Sequence, residues 1–271
     1  MKLHAKTGLI VELDESSVLD LRGVIIKGVD LSPGRAIPDD GDARIDHSLE
    51  GFLFTCGPDH IRHPEPIVGG SGRWPLHGSF SSHPAKILSK TETDCVAEIA
   101  VVHADGGQSL LTRRWSIDEA GTVTLSDRVT NTGPSAFPAM LMYHMNIAAR
   151  LFDDGVRLQG DMLDGGGFGW RFGEEPGGVF CVPATPAVDG WAEMRLGPMA
   201  SIGGLTLTVR FDTATLPHLQ IWRNQQEPAN VLGIEPVSHR WVGREELAKA
   251  SELEMLLPGE TRQFGLSFSF A

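Results

Sequence analysis

What most restricts the folds open to this chain is the form of its apolar segments. They are short and numerous, they are bounded by turn residues, and they almost never follow a helical period. Runs rich in Val, Ile, Leu, Thr and Phe fall at 9–13, 18–21, 51–55, 96–102, 110–117, 122–130 and 139–146. Others follow at 191–196, 205–211, 218–223, 253–257 and 262–270. In Leu205-Thr206-Leu207-Thr208-Val209-Arg210-Phe211 every second residue is apolar, and Val123, Leu125 and Val129 share one face of their segment. A period of two belongs to a strand with one buried and one solvated face. Asn131-Thr132-Gly133-Pro134 and Pro258-Gly259-Glu260 are turns, because Gly tolerates positive φ and Pro presets φ. One brief helix is predicted at 244–251, and the Gly-rich stretch 164–169 reads as an internal loop or lid. Short strands at steady spacing predict an all-β sandwich or barrel in place of βαβ units. With no internal repeat or low-complexity linker, residues 1–271 read as one domain.

Composition excludes several functions. The chain carries 23 Lys+Arg against 35 Asp+Glu, a formal net charge of −12, and no basic stripe, so nucleic acid is an unsuitable partner. No apolar run reaches the roughly 18–20 residues of a membrane span, and the opening Met1-Lys2-Leu3-His4-Ala5-Lys6 lacks the apolar stretch of a secretion signal. Three widely separated cysteines, Cys56, Cys95 and Cys181, fit neither a disulfide scaffold nor a paired-Cys zinc site. A cytoplasmic location is therefore expected, and the charge leaves the oligomeric state open. No phosphate-binding loop, dinucleotide fingerprint or nucleophile elbow is present. His60, His63, His77 and His83 cluster in a Pro/Gly-rich stretch where nothing fixes ligand geometry as a helix would. Neither a metal nor a cofactor is expected.

Three segments carry more chemistry: Pro75-Leu76-His77-Gly78, Tyr143-His144-Met145-Asn146 and Leu232-Gly233-Ile234-Glu235-Pro236. The second and third read as strand ends, which would set His144, Asn146 and Glu235 at the rim of a sheet. An acidic side chain held against the wall Val231-Leu232-Gly233-Ile234 is pushed toward neutral pKa by burial, as suits a general base. Alone, a His closing a strand is commonly a hydrogen-bonded structural residue, and a Glu before Pro a solvated turn residue. Their combination is what points to acid–base chemistry.

Taken together, the segments resemble the galactose mutarotase (aldose 1-epimerase) superfamily, and most nearly its aldose 1-epimerase-like branch DUF4432. The resemblance runs through Gly51-Phe52-Leu53-Phe54-Thr55-Cys56-Gly57, Leu76-His77-Gly78 with His83-Pro84-Ala85, and Asp127-Arg128-Val129-Thr130-Asn131-Thr132-Gly133. It continues through Tyr143-His144-Met145-Asn146 and Thr215-Leu216-Pro217-His218-Leu219-Gln220-Ile221-Trp222 to Leu232-Gly233-Ile234-Glu235-Pro236. It implies an all-β, mostly antiparallel β-supersandwich with a sugar site on a concave face. It also implies His144 as general acid, Glu235 as general base and His77 as a sugar ligand. Arg62, or less well Arg73, stands where the family's sugar-binding Arg is expected. Asp153, Asp154, Asp161 and Asp164 compete for the place of its sugar-binding Asp. Asn146 and Gln220 join the expected substrate contacts, with Trp222, on the same strand face as Gln220, offering a flat surface for a pyranose ring.

Mutarotation opens a hemiacetal. A base takes the anomeric hydroxyl proton while an acid protonates the ring oxygen, and no metal, cofactor or covalent intermediate is required. The expected function is interconversion of sugar anomers. The alternatives are a non-catalytic carbohydrate-binding protein on the same fold, or another sugar epimerase or lyase using the same pair. A phosphosugar suits the sequence less, since a phosphate clamp needs clustered cations and the one arginine pair, Arg113-Arg114, would point to opposite faces of a strand.

Overall fold

Alternating segments become strands in a computed structural model that describes residues 1–34, 50–226 and 229–271. In chain order the first ten are β1 (Lys2–His4), β2 (Ile10–Asp14), β3 (Asp20–Ile26), β4 (Val29–Asp30), β5 (Leu53–Cys56), β6 (Lys86–Lys90), β7 (Asp94–Val102), β8 (Gln108–Ile117), β9 (Val123–Asn131) and β10 (Phe137–Pro138). Next come β11 (Met142–Ala148), β12 (Arg157–Gln159), β13 (Gly167–Gly169), β14 (Gly177–Pro183), β15 (Trp191–Met199) and β16 (Leu205–Asp212). The series closes with β17 (His218–Asn224), β18 (Val231–Val237), helix α1 (Arg244–Lys249), β19 (Met255–Leu256) and β20 (Thr261–Phe270). Among the described residues they form two nine-stranded antiparallel sheets and the ribbon β10–β19. The first sheet runs β1-β2-β3-β5-β11-β18-β17-β14 with β4 beside β3, and the second runs β13-β12-β15-β16-β20-β9-β8-β7-β6.

The two sheets pack face to face through alternate residues. Tyr143, Met145, Ile147, Leu232 and Ile234 of the first meet Val123, Leu125, Val209, Leu266 and Phe268 of the second in one continuous core. Phe52 and Phe268 join the sheets with ring centroids 5.4 Å apart. Inside this apolar layer lies Arg113, fully buried, with all five N–H donors engaged. It bonds both carboxylate oxygens of Asp127 (2.9 and 2.7 Å), Asp20 (2.6 Å), Thr55 Oγ1 (2.7 Å) and the Val18 carbonyl (2.8 Å). Tyr143 donates to Asp127 as well, at 2.9 Å. Arg114, one residue on, faces the outside, as a strand requires.

Three segments differ from the sequence reading. Residues 139–146 do not form one strand ending at His144 and Asn146. Pro138 belongs to the ribbon, the sheet strand starts at Met142, and His144 and Asn146 lie inside β11, buried. Likewise Glu235 lies inside β18. The reason is that β5, β11 and β18 are buried on both faces. A second cluster (Phe54, Cys56, Ile61, Met140, Met142, Val237 and Leu247) covers their outer side, so the alternation that marks a half-exposed strand is lost. The Gly-rich stretch 164–169 is a 3₁₀ turn (Asp164–Gly166) running into the edge strand β13, paired with β12. A glycine run has no side-chain period by which to announce a strand. Among the described residues no helix is long and apolar enough to cross a membrane.

Candidate active site

A single row across the outer face of the first sheet holds the polar groups. Phe54 of β5 pairs with His144 of β11, Glu235 of β18 with Gln220 of β17, and Gln220 with Cys181 of β14. Between β11 and β18 the ladder pairs Met142 with Val237 and Met145 with Ile234, which sets His144 opposite Glu235. Pro236 lies in the gap between those pairs, where its missing N–H leaves the backbone ladder open beside the two side chains.

Nε2 of His144 is 3.0 Å from Oε1 of Glu235. Both side chains are almost wholly buried, at 3% and 0% exposure. Gln220 Nε2 donates to the other carboxylate oxygen of Glu235. Oε1 of Gln220 in turn accepts from Arg62 at 2.9 Å, and the second terminal nitrogen of Arg62 donates to the carbonyls of His239 and Arg240, both at 2.8 Å. The Arg62 guanidinium lies 4.9 Å from the ring centroid of Trp241. Phe54 stacks on the His144 ring at 4.4 Å, while His77 and Trp222 approach it edge-on at 5.7 and 5.2 Å.

Burial dominates the electrostatics. It pushes the Glu235 carboxyl up to about 8, against the Gln220 hydrogen bond and the Arg62 charge, which both pull it down. Burial also pushes His77 down to about 3 and holds His144 well below the ordinary imidazole value. Near neutral pH the pair thus shares one proton, and burial favours it on Glu235.

A loop delivers Arg62 and His77 together. His77 N donates to Arg62 O (2.9 Å) and Gly57 N to His77 O (2.8 Å), closing the loop at its neck. Gly78, at φ 85°, makes this possible, because a Cβ there would lie 2.0 Å from the His60 carbonyl oxygen.

The structure therefore brings His144, Glu235, His77, Gln220, Trp222 and Arg62 into one constellation. Asn146 lies on the same strand face as His144, fully buried, and donates to the Gly51 carbonyl at 3.3 Å. Arg73 is exposed and bonds the Pro64 carbonyl. Asp153 serves backbone amides of Gly155 and Ala200, and Asp154 pairs with Arg171 on the surface. The clustered histidines have separate partners: His60 meets the His63 carbonyl at 2.7 Å, and His83 meets the Phe80 carbonyl at 3.2 Å. Among the described residues no three His, Cys, Asp or Glu side chains converge as a metal site would need.

Sequence reasoning passed over three neighbours. Phe54 walls the imidazole and was visible only as one residue of the Gly51–Gly57 segment. Trp241 faces Arg62 and carries no motif. Gly233 sits where a Cβ would lie 2.5 Å from Glu235 Oε1, 3.1 Å from His144 Cε1 and 3.2 Å from Trp222 Cβ. A cavity of about 190 Å³ opens against Arg62 and Trp241. A larger one of about 530 Å³ lies beyond His239, and its arginines are ion-paired, Arg240 with Glu246 and Glu252, Arg262 with Glu254.

Two broad antiparallel sheets with this polar row at the middle of one define a galactose mutarotase-like β-supersandwich. The chain belongs to the family described as a domain of unknown function, DUF4432, whose model matches residues 30–162 and 179–270. Among solved structures it is similar to a galactose mutarotase-like protein from Lactobacillus casei, with 13% identity, TM-score 0.75, and 100% of this chain and 99% of that one covered. It is similar also to a galactose mutarotase related enzyme from Lactobacillus acidophilus, with 10% identity, TM-score 0.74, and coverage of 100% and 97%. A galactose 1-epimerase from the same species gives 12% identity, TM-score 0.64, and coverage of 100% and 93%. At these identities what is shared is the fold. No curated protein matches the sequence.

Proposed function

We propose that this protein exchanges the anomers of an aldose or aldose derivative by acid–base opening and closing of the ring. The observation that carries the reading is the direct juxtaposition of His144 and Glu235, 3.0 Å apart in the middle of the sheet. The ring oxygen and the anomeric oxygen of a sugar are bonded to the same carbon. An acid and a base that stand side by side can therefore serve both.

The reaction needs one proton in the pair. The base removes the proton of the anomeric hydroxyl, the acid gives one to the ring oxygen, and the bond from C1 to that oxygen breaks to leave an open-chain aldehyde. Rotation about the C1–C2 bond presents the other face of the carbonyl, and the ring closes with the two roles reversed. The balance is neutral, with no metal or cofactor called for. The family resemblance gives His144 the acid role and Glu235 the base role. That assignment requires the shared proton to sit on His144, whereas burial favours it on Glu235. The two forms differ by the position of one proton across the 3.0 Å contact. Trp222, edge-on to His144, and His77 then border the reacting carbon.

Saturation-transfer NMR on a panel of fresh aldoses tests the reading. We expect faster anomer exchange with the wild type and a loss of about 10²-fold or more in His144→Ala and in Glu235→Gln, with folding intact. Sugar binding without acceleration would instead make this a carbohydrate-binding protein on the same fold, and undiminished exchange in either variant would remove its assigned role.

A further inference from the structure

Hydrogen-bonding capacity fixes more of this site than proximity alone suggests. A Gln side chain has a carbonyl end and an amide end of nearly the same shape, and only its partners decide which end faces which way. Gln220 stands between Arg62 and Glu235. A guanidinium can only donate, so the end of Gln220 that faces Arg62 must be the carbonyl. The end facing Glu235 is then the amide. Were the carboxamide reversed, its oxygen would confront a carboxylate oxygen, an arrangement tolerable only when Glu235 is protonated.

We propose that Arg62 is a positioning residue, which by fixing the orientation of the Gln220 carboxamide presents an N–H donor to Glu235 and so favours the carboxylate that the base role requires. This rests on the acid–base reading of the site and assigns to Arg62 and Gln220 a task distinct from sugar contact. Arg62 is itself held in place from behind. One of its terminal nitrogens is engaged by the His239 and Arg240 carbonyls, and Trp241 flanks its plane. The donor left over is Nε, which is buried and without a partner.

The remaining groups around Glu235 do not supply a competing charge. Cys56 of β5 and Cys181 of β14 are thiols pushed up by burial, and His144 of β11 and His77 of the 57–80 loop are imidazoles pushed down by it. All four are neutral near pH 7, which among the described residues leaves Arg62 as the cation on this side of the row.

The experiment is a carbon-13 NMR titration of the Glu235 carboxyl in the sugar-free protein, its signal identified by loss in Glu235→Gln, across a double-mutant cycle of Arg62→Met and Gln220→Met. We expect each single variant to move the Glu235 titration upward by about one to two pH units, and the double variant to move it by clearly less than the sum of the two, because beside its own charge Arg62 acts through Gln220. An Arg62 effect as large in the Gln220→Met background as in the wild type would mean that only its charge acts, and the proposal would fall. So would an Arg62→Met protein with an unchanged titration and only a raised KM, the mark of a sugar ligand. Should Arg62→Met not fold, the cycle is run with Arg62→Lys, whose single ammonium cannot reproduce the fork that serves Gln220 and both carbonyls. Because the titration needs no sugar, its outcome stands apart from whether anomer exchange is found.

Discussion

Glu235 is a fully buried carboxyl whose pKa is raised from 4.5 to about 8, and that has a consequence for the folded state. A group that holds its proton more tightly folded than unfolded contributes fully to stability below the unfolded value. The contribution is lost as pH rises through the folded value. Wild-type stability should therefore fall between about pH 4.5 and about 8 relative to a variant lacking the carboxyl. Glu235→Gln keeps the shape and cannot ionise, so it should gain on the wild type across that window, by up to several kcal/mol. Urea midpoints for both proteins at the two ends of the window measure the difference. A constant gap would show that the carboxyl is not held protonated.

At the scale of elements, the site is a row, and the row works only because one of its neighbours has no side chain. Gly233, on β18 between Trp222 and Asn146 in register, keeps open the space beside both His144 and Glu235. Gly233→Ala should displace the Glu235 carboxylate and Trp222, cost about 1–3 kcal/mol of stability by overpacking, and reduce anomer exchange at least tenfold. Denaturation and exchange NMR on the same sample would check both, and unchanged exchange would show that the space is not used. The sequence made β8, β9 and β16 legible, because each buries one face and alternates. It misplaced the ends of β11 and β18, because strands covered on both sides look like uninterrupted apolar runs, and the polar residues within them looked like endings. His144, Glu235 and His77 could be picked out through the short segments around them. Gly233 and Trp241 could not, since the importance of a missing side chain or of a ring beside a cation depends on what the fold brings next to it.

For the molecule as a whole, Arg113 binds the second sheet to the underside of the strands that bear the site. Its partners come from β3, β5 and β9, and Tyr143, which precedes His144, reaches the same Asp127. Removing the cation strands Asp20 and Asp127 in the core, so Arg113→Met should cost about 3–5 kcal/mol, read from the denaturant midpoint. A loss under 1 kcal/mol would mean that water or rearranged side chains replace it. The full use of all five donors also shapes how this protein can change over generations. Asp20, Thr55, Asp127 and Tyr143 cannot drift one at a time without leaving a group stranded in the core. Lineages descended from this chain should pass these residues on together with Arg113 or replace them as a set, leaving a linked signature at five positions scattered from residue 20 to residue 143.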